Sequence, residues 1–271
     1  MTIEGEKIIA QTLGKKGLSN CYLSYDSILN KMDIGEMEWI VLDHMVVLIE
    51  DKHLFHNMYY FIENRENTEI DHALEEYLMK YNILAANVVM NINEISPEVL
   101  MDKLGFGLYK KYVRKSMLGN LQKSYPEKLN PEFAQINELD EIYDLLYGIF
   151  DIVTDTLPTK EELWKFISNK QVLKISLNNE IAGVLLFEDK GCKSYTRAFC
   201  VKEKYRKCSI GYSLFAKYIN MHLNSTKMFY LWADSENDYV HKFYEKFGYK
   251  NDGLIDYIYL YGEKHAEKEY D

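Results

Sequence analysis

Hydrophobic and polar positions along the chain change period several times, and each change marks an element. Residues 4–31 carry a helical pattern with a break around Gly14 and Gly17. Residues 39–49 (WIVLDHMVVLI) and 55–62 are dense in β-branched and aromatic side chains and predict strands. In residues 70–81, Ala73, Leu74, Tyr77 and Leu78 recur at helical spacing. Residues 83–90 predict another strand. Ser96-Pro97-Glu98 opens a helix, with Ser as cap and Pro in the first turn, and Gly105 stops it.

Residues 118–131 are polar, carry Pro126 and Pro131 and lack periodicity, which predicts a boundary between domains at 1–125 and 131–271. The order then restarts. A short strand is expected over 133–136, an amphipathic helix over 139–150, and a second helix over 159–168 with Thr159 as its cap. Strands follow over 172–177 and 181–188, joined by Asn178-Asn179, and over 194–201. A helix over 210–223, a strand over 228–233, a helix over 238–247 and a last strand over 257–261 complete the pattern. The charged tail from Glu263 is expected to fray.

Hydrophobic residues are 47% and charged residues 27% of the chain, enough apolar material for a filled core. The net charge of −10 argues against a nucleic-acid partner, which needs clustered Lys and Arg, and mildly favours cationic amines. Cys21, Cys192, Cys200 and Cys208 form no C-x-x-C pair and match no zinc spacing, so reduced thiols and no metal are expected. The N-terminus shows no signal-peptide pattern, and the apolar runs are shorter than the ~20 residues of a membrane span. These features predict a soluble cytoplasmic protein with no membrane partner.

Two stretches carry chemistry. In residues 198–215, AFCVKEKYRKCSIGYSLF, a strand ending at Cys200-Val201 leads into a basic loop with Lys202, Lys204, Arg206 and Lys207. Ser209 and Gly211 then open an apolar helix. Free N–H groups at a helix start carry partial positive charge, small residues let an anion approach them, and the flanking cations add to the attraction. In residues 229–250, FYLWADSENDYVHKFYEKFGYK, a strand leads into a helix whose Val240, Phe243, Tyr244 and Phe247 share one face. Taken alone, Tyr244 fits a core tyrosine as well as a catalyst. His222 and His241 read as helix-surface residues, and Cys208 as a loop thiol.

Together these stretches resemble the GNAT acetyltransferase superfamily over residues 131–262. Val201, Tyr205, Arg206, Ser209 and Gly211 stand in the positions of its cofactor loop, [RQ]-x-x-G-x-[GA]. Asn237, Phe243, Tyr244, Lys246, Gly248 and Tyr249 match its later signature. Ser209 replaces the usual Gly, and Val240 the usual Ala. The resemblance implies an α/β fold with a mixed, mostly antiparallel sheet flanked by helices. It also implies transfer of an acetyl group from acetyl-CoA to an amine of a small molecule or peptide, by direct attack through a tetrahedral oxyanion. The implied cofactor contacts are Cys200, Val201 with its backbone N–H on the thioester carbonyl, Arg206, Lys207, Cys208, Ser209, Ile210, Gly211 and Tyr212. Asn237 would bond the pantetheine arm or a nearby backbone group, and Tyr244 would protonate the departing thiolate. Glu188, Asp234 and Glu236 stay open as general bases, as does a water chain. A longer acyl-CoA, an acyl carrier protein, or a non-catalytic CoA-binding sensor or scaffold remain alternatives.

Residues 83–117 echo the later signature. A shift of 143 sets Gly105 on Gly248 and Phe106 on Tyr249, with Met101 in place of Tyr244 and Glu94 in place of Asn237. Residues 63–71, ENRENTEID, replace the cofactor loop with four acids, Glu63, Glu66, Glu69 and Asp71, which would repel a diphosphate. The first half is therefore expected to be a degenerate GNAT-like copy without a cofactor site, making the protein a tandem.

Overall fold

The computed structural model describes residues 3–13, 17–63, 72–119 and 123–262. It divides into two compact units, Met1–Tyr112 with Leu254–Asp271, and Val113–Gly253.

In the first unit, α1 (Ile3–Leu13), β1 (Leu18–Ser19) and α2 (Tyr25–Asp33) replace the broken helix expected over 4–31. Ser24 starts α2 by accepting the Ser27 N–H on its side chain. The 39–49 run is not one strand. Asp43-His44 turns it into a hairpin of β2 (Met37–Leu42) and β3 (Met45–Asp51), with Leu42 opposite Met45. β3 is buried on both faces, so it lacks the alternation that would have exposed its limits. Next come β4 (His56–Ile62), α3 (His72–Leu78), β5 (Leu84–Asn91), α4 (Glu98–Lys103) and β6 (Phe106–Leu118). Met45, Val47, Met58, Tyr60, Ala86, Met101 and Phe106 fill the core on one face of these strands. Ile8, Ile9 and Ile28 of α1 and α2 cover Val46, Leu48, Tyr59 and Phe61 on the other.

The second unit runs through β7 (Glu132–Phe133), α5 (Leu139–Tyr147), α6 (Lys160–Ser168), β8 (Val172–Leu177), β9 (Glu180–Lys190), β10 (Lys193–Val201), α7 (Ile210–His222), β11 (Met228–Asp234) and α8 (Asp238–Glu245). The strand expected over 133–136 shrinks to β7, and Ile136–Glu138 forms a 3-10 turn. Thr159 and Glu162 make a reciprocal capping box at the start of α6. β7, β8, β9 and β10 pair antiparallel in that order, and β10 meets β11 in parallel. α7 and α8 cover one face, where Leu214, Phe215, Ile219 and Phe247 pack on Leu185, Phe187, Phe229 and Leu231. α5 and α6 cover the other through Ile142, Leu146, Leu163 and Ile167 against Val184, Leu186 and Cys200.

This is a mixed, mostly antiparallel sheet flanked by helices, and its element order repeats. Two helices, three antiparallel strands, a helix, a strand, a helix and a strand occur twice. Gly105 and Gly248 close α4 and α8 alike, at φ +80 and +86; their N–H groups bond Asp102 O and Glu245 O. The last strand, β12 (Lys250–Tyr261), is longer than the expected 257–261. Its residues from Leu254 onward belong to the first unit, where they pair antiparallel with β5. Residues 64–71 of the acidic stretch and the tail from Glu263 lie outside the described residues. Among the described residues no helix is long and apolar enough to cross a membrane.

Candidate active site

β10 and β11 pair only over Lys193↔Met228, Ser194↔Phe229 and Tyr195↔Tyr230. β10 then runs on to Val201 and β11 to Asp234 without further pairing to each other. The strands part where the register of β10 against β9 slips between Thr196 and Ala198, which leaves Arg197 as a bulge. Arg197 is held outside the gap, donating to Thr156 O at 3.2 Å and lying over the Phe166 ring. The paired end is anchored. Tyr218 OH donates to Ser194 Oγ at 2.7 Å, and Ser194 OH to Asp189 Oδ1 at 2.6 Å. His222 faces Asp189 Oδ2 at 3.2 Å. It is buried in this network, and not on the surface as its helical position suggested.

Lys202 N–H donates to Ala182 O on β9 at 2.9 Å, and Val201 stands opposite Gly183. Successive N–H groups of a strand point to opposite sides, so that of Val201 faces the side β11 has left. Cys200 and Ile210 are buried in the core, so either residue can reach a ligand only through its backbone. Burial pushes the Cys200 thiol up to about 12, which keeps it protonated and unreactive.

Beyond Val201 a 3-10 turn, Glu203–Tyr205, leads to Arg206, and Lys207 and Ser209 both take left-handed backbone conformations, φ +66 and +62. Ser209 is the N-cap of α7, yet its side chain makes no cap hydrogen bond. The first N–H groups of α7 are therefore left for an external acceptor. Lys207 and Ser209 thus bend the backbone around the helix start, with the exposed Cys208 between them. Gly183 permits the close approach of this corner. A Cβ there would lie 2.8 Å from Ile210 Cγ2 and 3.0 Å from Cys200 O.

The loop cations are not equivalent. Glu180, at the start of β9, pairs with Lys204, accepts from Tyr205 OH at 2.5 Å and pairs with Lys202 at 3.2 Å. Lys204, Tyr205 and Lys202 hold its carboxyl down at about 2. Arg206 has only a 3.9 Å contact with the exposed Glu203, and its side chain is 57% exposed. Of the basic residues expected to draw an anion, Lys202 and Lys204 are thus neutralised, whereas Arg206 remains exposed. Glu180 was not among the residues the sequence singled out, because its partners lie 22 to 25 positions away.

Tyr244 is 6% exposed, inside a ring cluster with Phe215, Phe243 and Tyr249. Burial, then the neighbouring Tyr195 and Asp155, push its phenol well above the usual value of 10. Asn237 caps α8, its Oδ1 accepting the Val240 N–H at 3.2 Å, which leaves its amide nitrogen to act outward. Glu188 is paired with Lys190 at 3.1 Å, and Asp234 Oδ1 accepts the Glu236 N–H at 3.0 Å, so both acids already have partners.

Residues 153–256 match the family model of an acetyltransferase (GNAT) domain. A comparison with curated proteins finds no match. Among solved structures, the fold is similar to a tandem GNAT protein from the clavulanic acid biosynthesis pathway, at TM-score 0.59 and 8% identity, covering 94% of this chain and 92% of that one. It is also similar to a GCN5-related N-acetyltransferase from Sphaerobacter thermophilus, at TM-score 0.58, 11% identity and coverage of 88% and 85%. A GCN5-related N-acetyltransferase from Kribbella flavida aligns over 98% of both chains, at TM-score 0.54 and 12% identity. At such identities these likenesses concern the fold alone; in sequence, residues 153–256 match the GNAT acetyltransferase domain.

Proposed function

We propose that the protein transfers an acetyl group from acetyl-CoA to an amine of a small molecule or peptide, in the cytoplasm, using the second unit alone. The observation that carries this reading is the succession of an unpaired strand N–H, a left-handed corner and an uncapped helix start within one domain. The diphosphate of the acyl donor would lie on the N–H groups of residues 209–212, with Arg206 and Lys207 beside it. The remainder of the donor would run into the gap between β10 and β11. There the Val201 N–H would donate to the thioester oxygen as negative charge builds on it, and Asn237 would offer its amide nitrogen. The acceptor amine would attack the carbonyl carbon directly; the buried, protonated Cys200 is unsuited to an acyl-enzyme route.

Tyr244 would give its proton to the sulfur that leaves. Burial makes the phenol a weaker acid, and a thiolate in an equally dry gap would be a stronger base, the direction in which burial shifts Cys200. The surplus of acids over bases favours a cationic acceptor.

The test is calorimetric titration with acetyl-CoA. The wild type is expected to bind in the micromolar range, about −8 kcal/mol, and Arg206→Glu to lose most of that affinity. An unchanged affinity in the variant would remove the loop from the site. With an amine acceptor in hand, Tyr244→Phe should lower turnover ~10–1000-fold with little change in donor affinity. Full turnover in that variant would end the role assigned to Tyr244.

A further inference from the structure

The first unit contains a second strand gap. β4 and β5 are parallel and pair at His56↔Leu84 and Asn57↔Ala85. β4 then continues to Ile62 and β5 to Asn91 without pairing to each other. This repeats the behaviour of β10 and β11. We propose that the chain fills this gap itself with Leu18–Asn20, the Asn20 carboxamide standing where an amide-bearing ligand would otherwise sit. The comparison with the second unit rests on reading its gap as the acyl-donor site; the geometry of Asn20 does not depend on that reading.

Carried two residues further, the β4–β5 register would place Tyr59 opposite Asn87. In a parallel ladder a residue bonds to the two residues flanking its partner. The groups that would meet there are Met58 C=O, Tyr60 N–H and the backbone of Asn87. Asn20 takes up three of these bonds. Its Nδ2 donates to Met58 O at 2.9 Å and to Asn87 O at 3.0 Å, and its Oδ1 accepts the Tyr60 N–H at 2.8 Å. One side-chain amide thus replaces a rung of the sheet, donating to both strands at once. Asn20 is buried, at 8% exposure. The residues before it follow the same line, since β1 pairs antiparallel with β4 at Leu18↔Ile62 and Ser19↔Phe61. The opposite edge of β4 is taken along its whole length by β3. β1 and Asn20 therefore lie on the edge that β5 leaves.

In the second unit β10 and β11 likewise pair only as far as Tyr195 and Tyr230. The first gap is closed by the chain; the second is the one read above as the acyl-donor site. An unmet buried N–H or C=O is costly, so the first unit needs either a ligand or a substitute, and Asn20 supplies the substitute.

Two measurements on the full chain test this. Titration of the wild type with CoA should saturate at one equivalent; a second equivalent assigned to the first unit would overturn the proposal. In Asn20→Gly the Tyr60 amide should exchange with solvent ~10–100-fold faster, and millimolar acetamide, which has the shape of the deleted group, should slow it again. Unchanged exchange in the variant, or no response to acetamide, would overturn it. If Asn20→Gly does not fold unaided, the refolding yield with and without acetamide becomes the readout, and no gain counts against the proposal. A wild type that binds no CoA would sink the acyltransferase reading while leaving the acetamide test intact.

Discussion

Asp256 on β12 turns its carboxyl toward Asn87, accepting from Asn87 Nδ2 at 3.2 Å through Oδ2, while Oδ1 is buried without a hydrogen-bond partner. Burial pushes this carboxyl up to about 6, and the Asn87 bond pulls it back only in part. A folded-state value above the unfolded one means that the folded chain holds the proton more tightly. The stabilisation this gives is complete below about pH 4 and is lost as pH rises through 6. At pH 8 the ionised group therefore weighs against folding, by up to about 3 kcal/mol. Asp256→Asn should raise the melting temperature at pH 8 clearly more than at pH 5, as thermal unfolding at the two values would show. An equal gain at both would mean the carboxyl is not strained by its surroundings. At the same scale, Gly211 was legible as a small residue at a helix start, but its smallness serves packing as well as any anion. A Cβ there would lie 2.8 Å from Phe199 Cζ. Phe199 cannot easily yield, because it stacks on Phe243 and meets Phe215 edge-on. Tyr244, Asn237 and Arg206 were singled out by motif spacing. The capture of Lys202 and Lys204 by Glu180 was not, because it depends on a strand start brought close only by folding.

Elements declared themselves where one face meets solvent. α6 carries its cap and charged first turn in plain view, and α8 ends on a glycine that only a left-handed turn explains. β2 and β3 merged into one expected strand because residues 45–50 are buried on both faces and the two-residue turn at Asp43-His44 interrupts the apolar run so briefly. β1 was missed for the opposite reason: two residues have no period. The element that closes the N-terminal gap is thus the least visible in the sequence. The role of the Val201 N–H was implied by family resemblance alone, since nothing in the composition of β10 and β11 says where their pairing stops. That point is set by the bulge at Arg197 and by the buried network that fixes Ser194 and Tyr218 on its near side.

At the scale of the whole chain, the repeat of element order hides an exchange. By the order of the first half, β6 would be expected beside β5; the strand paired with β5 is instead β12, from Leu254 to Leu260. Residues 113–118 of β6 belong to the second unit, where β6 neighbours β11 and Met117 joins the core of Phe229 and Phe247. Each unit is therefore completed by a strand from the other half of the sequence. The polar stretch at 118–131 looks like a place to cut, yet a chain of 131–271 would lack the β6 strand and carry Ile258 and Tyr259, both buried at 1% exposure, with nothing to cover them. Uncovering two such side chains costs roughly 1.5–3 kcal/mol each, a large share of the 5–15 kcal/mol that typically holds a domain folded. The fragment should be expressed without a sharp thermal transition and should bind acetyl-CoA poorly. Co-expression with residues 1–125 should restore both, because the two fragments together contain every strand. A fragment of 131–271 that melts cooperatively and binds acetyl-CoA as the whole chain does would show that the exchanged strands are dispensable, and with them this account of why the two halves stay in one polypeptide.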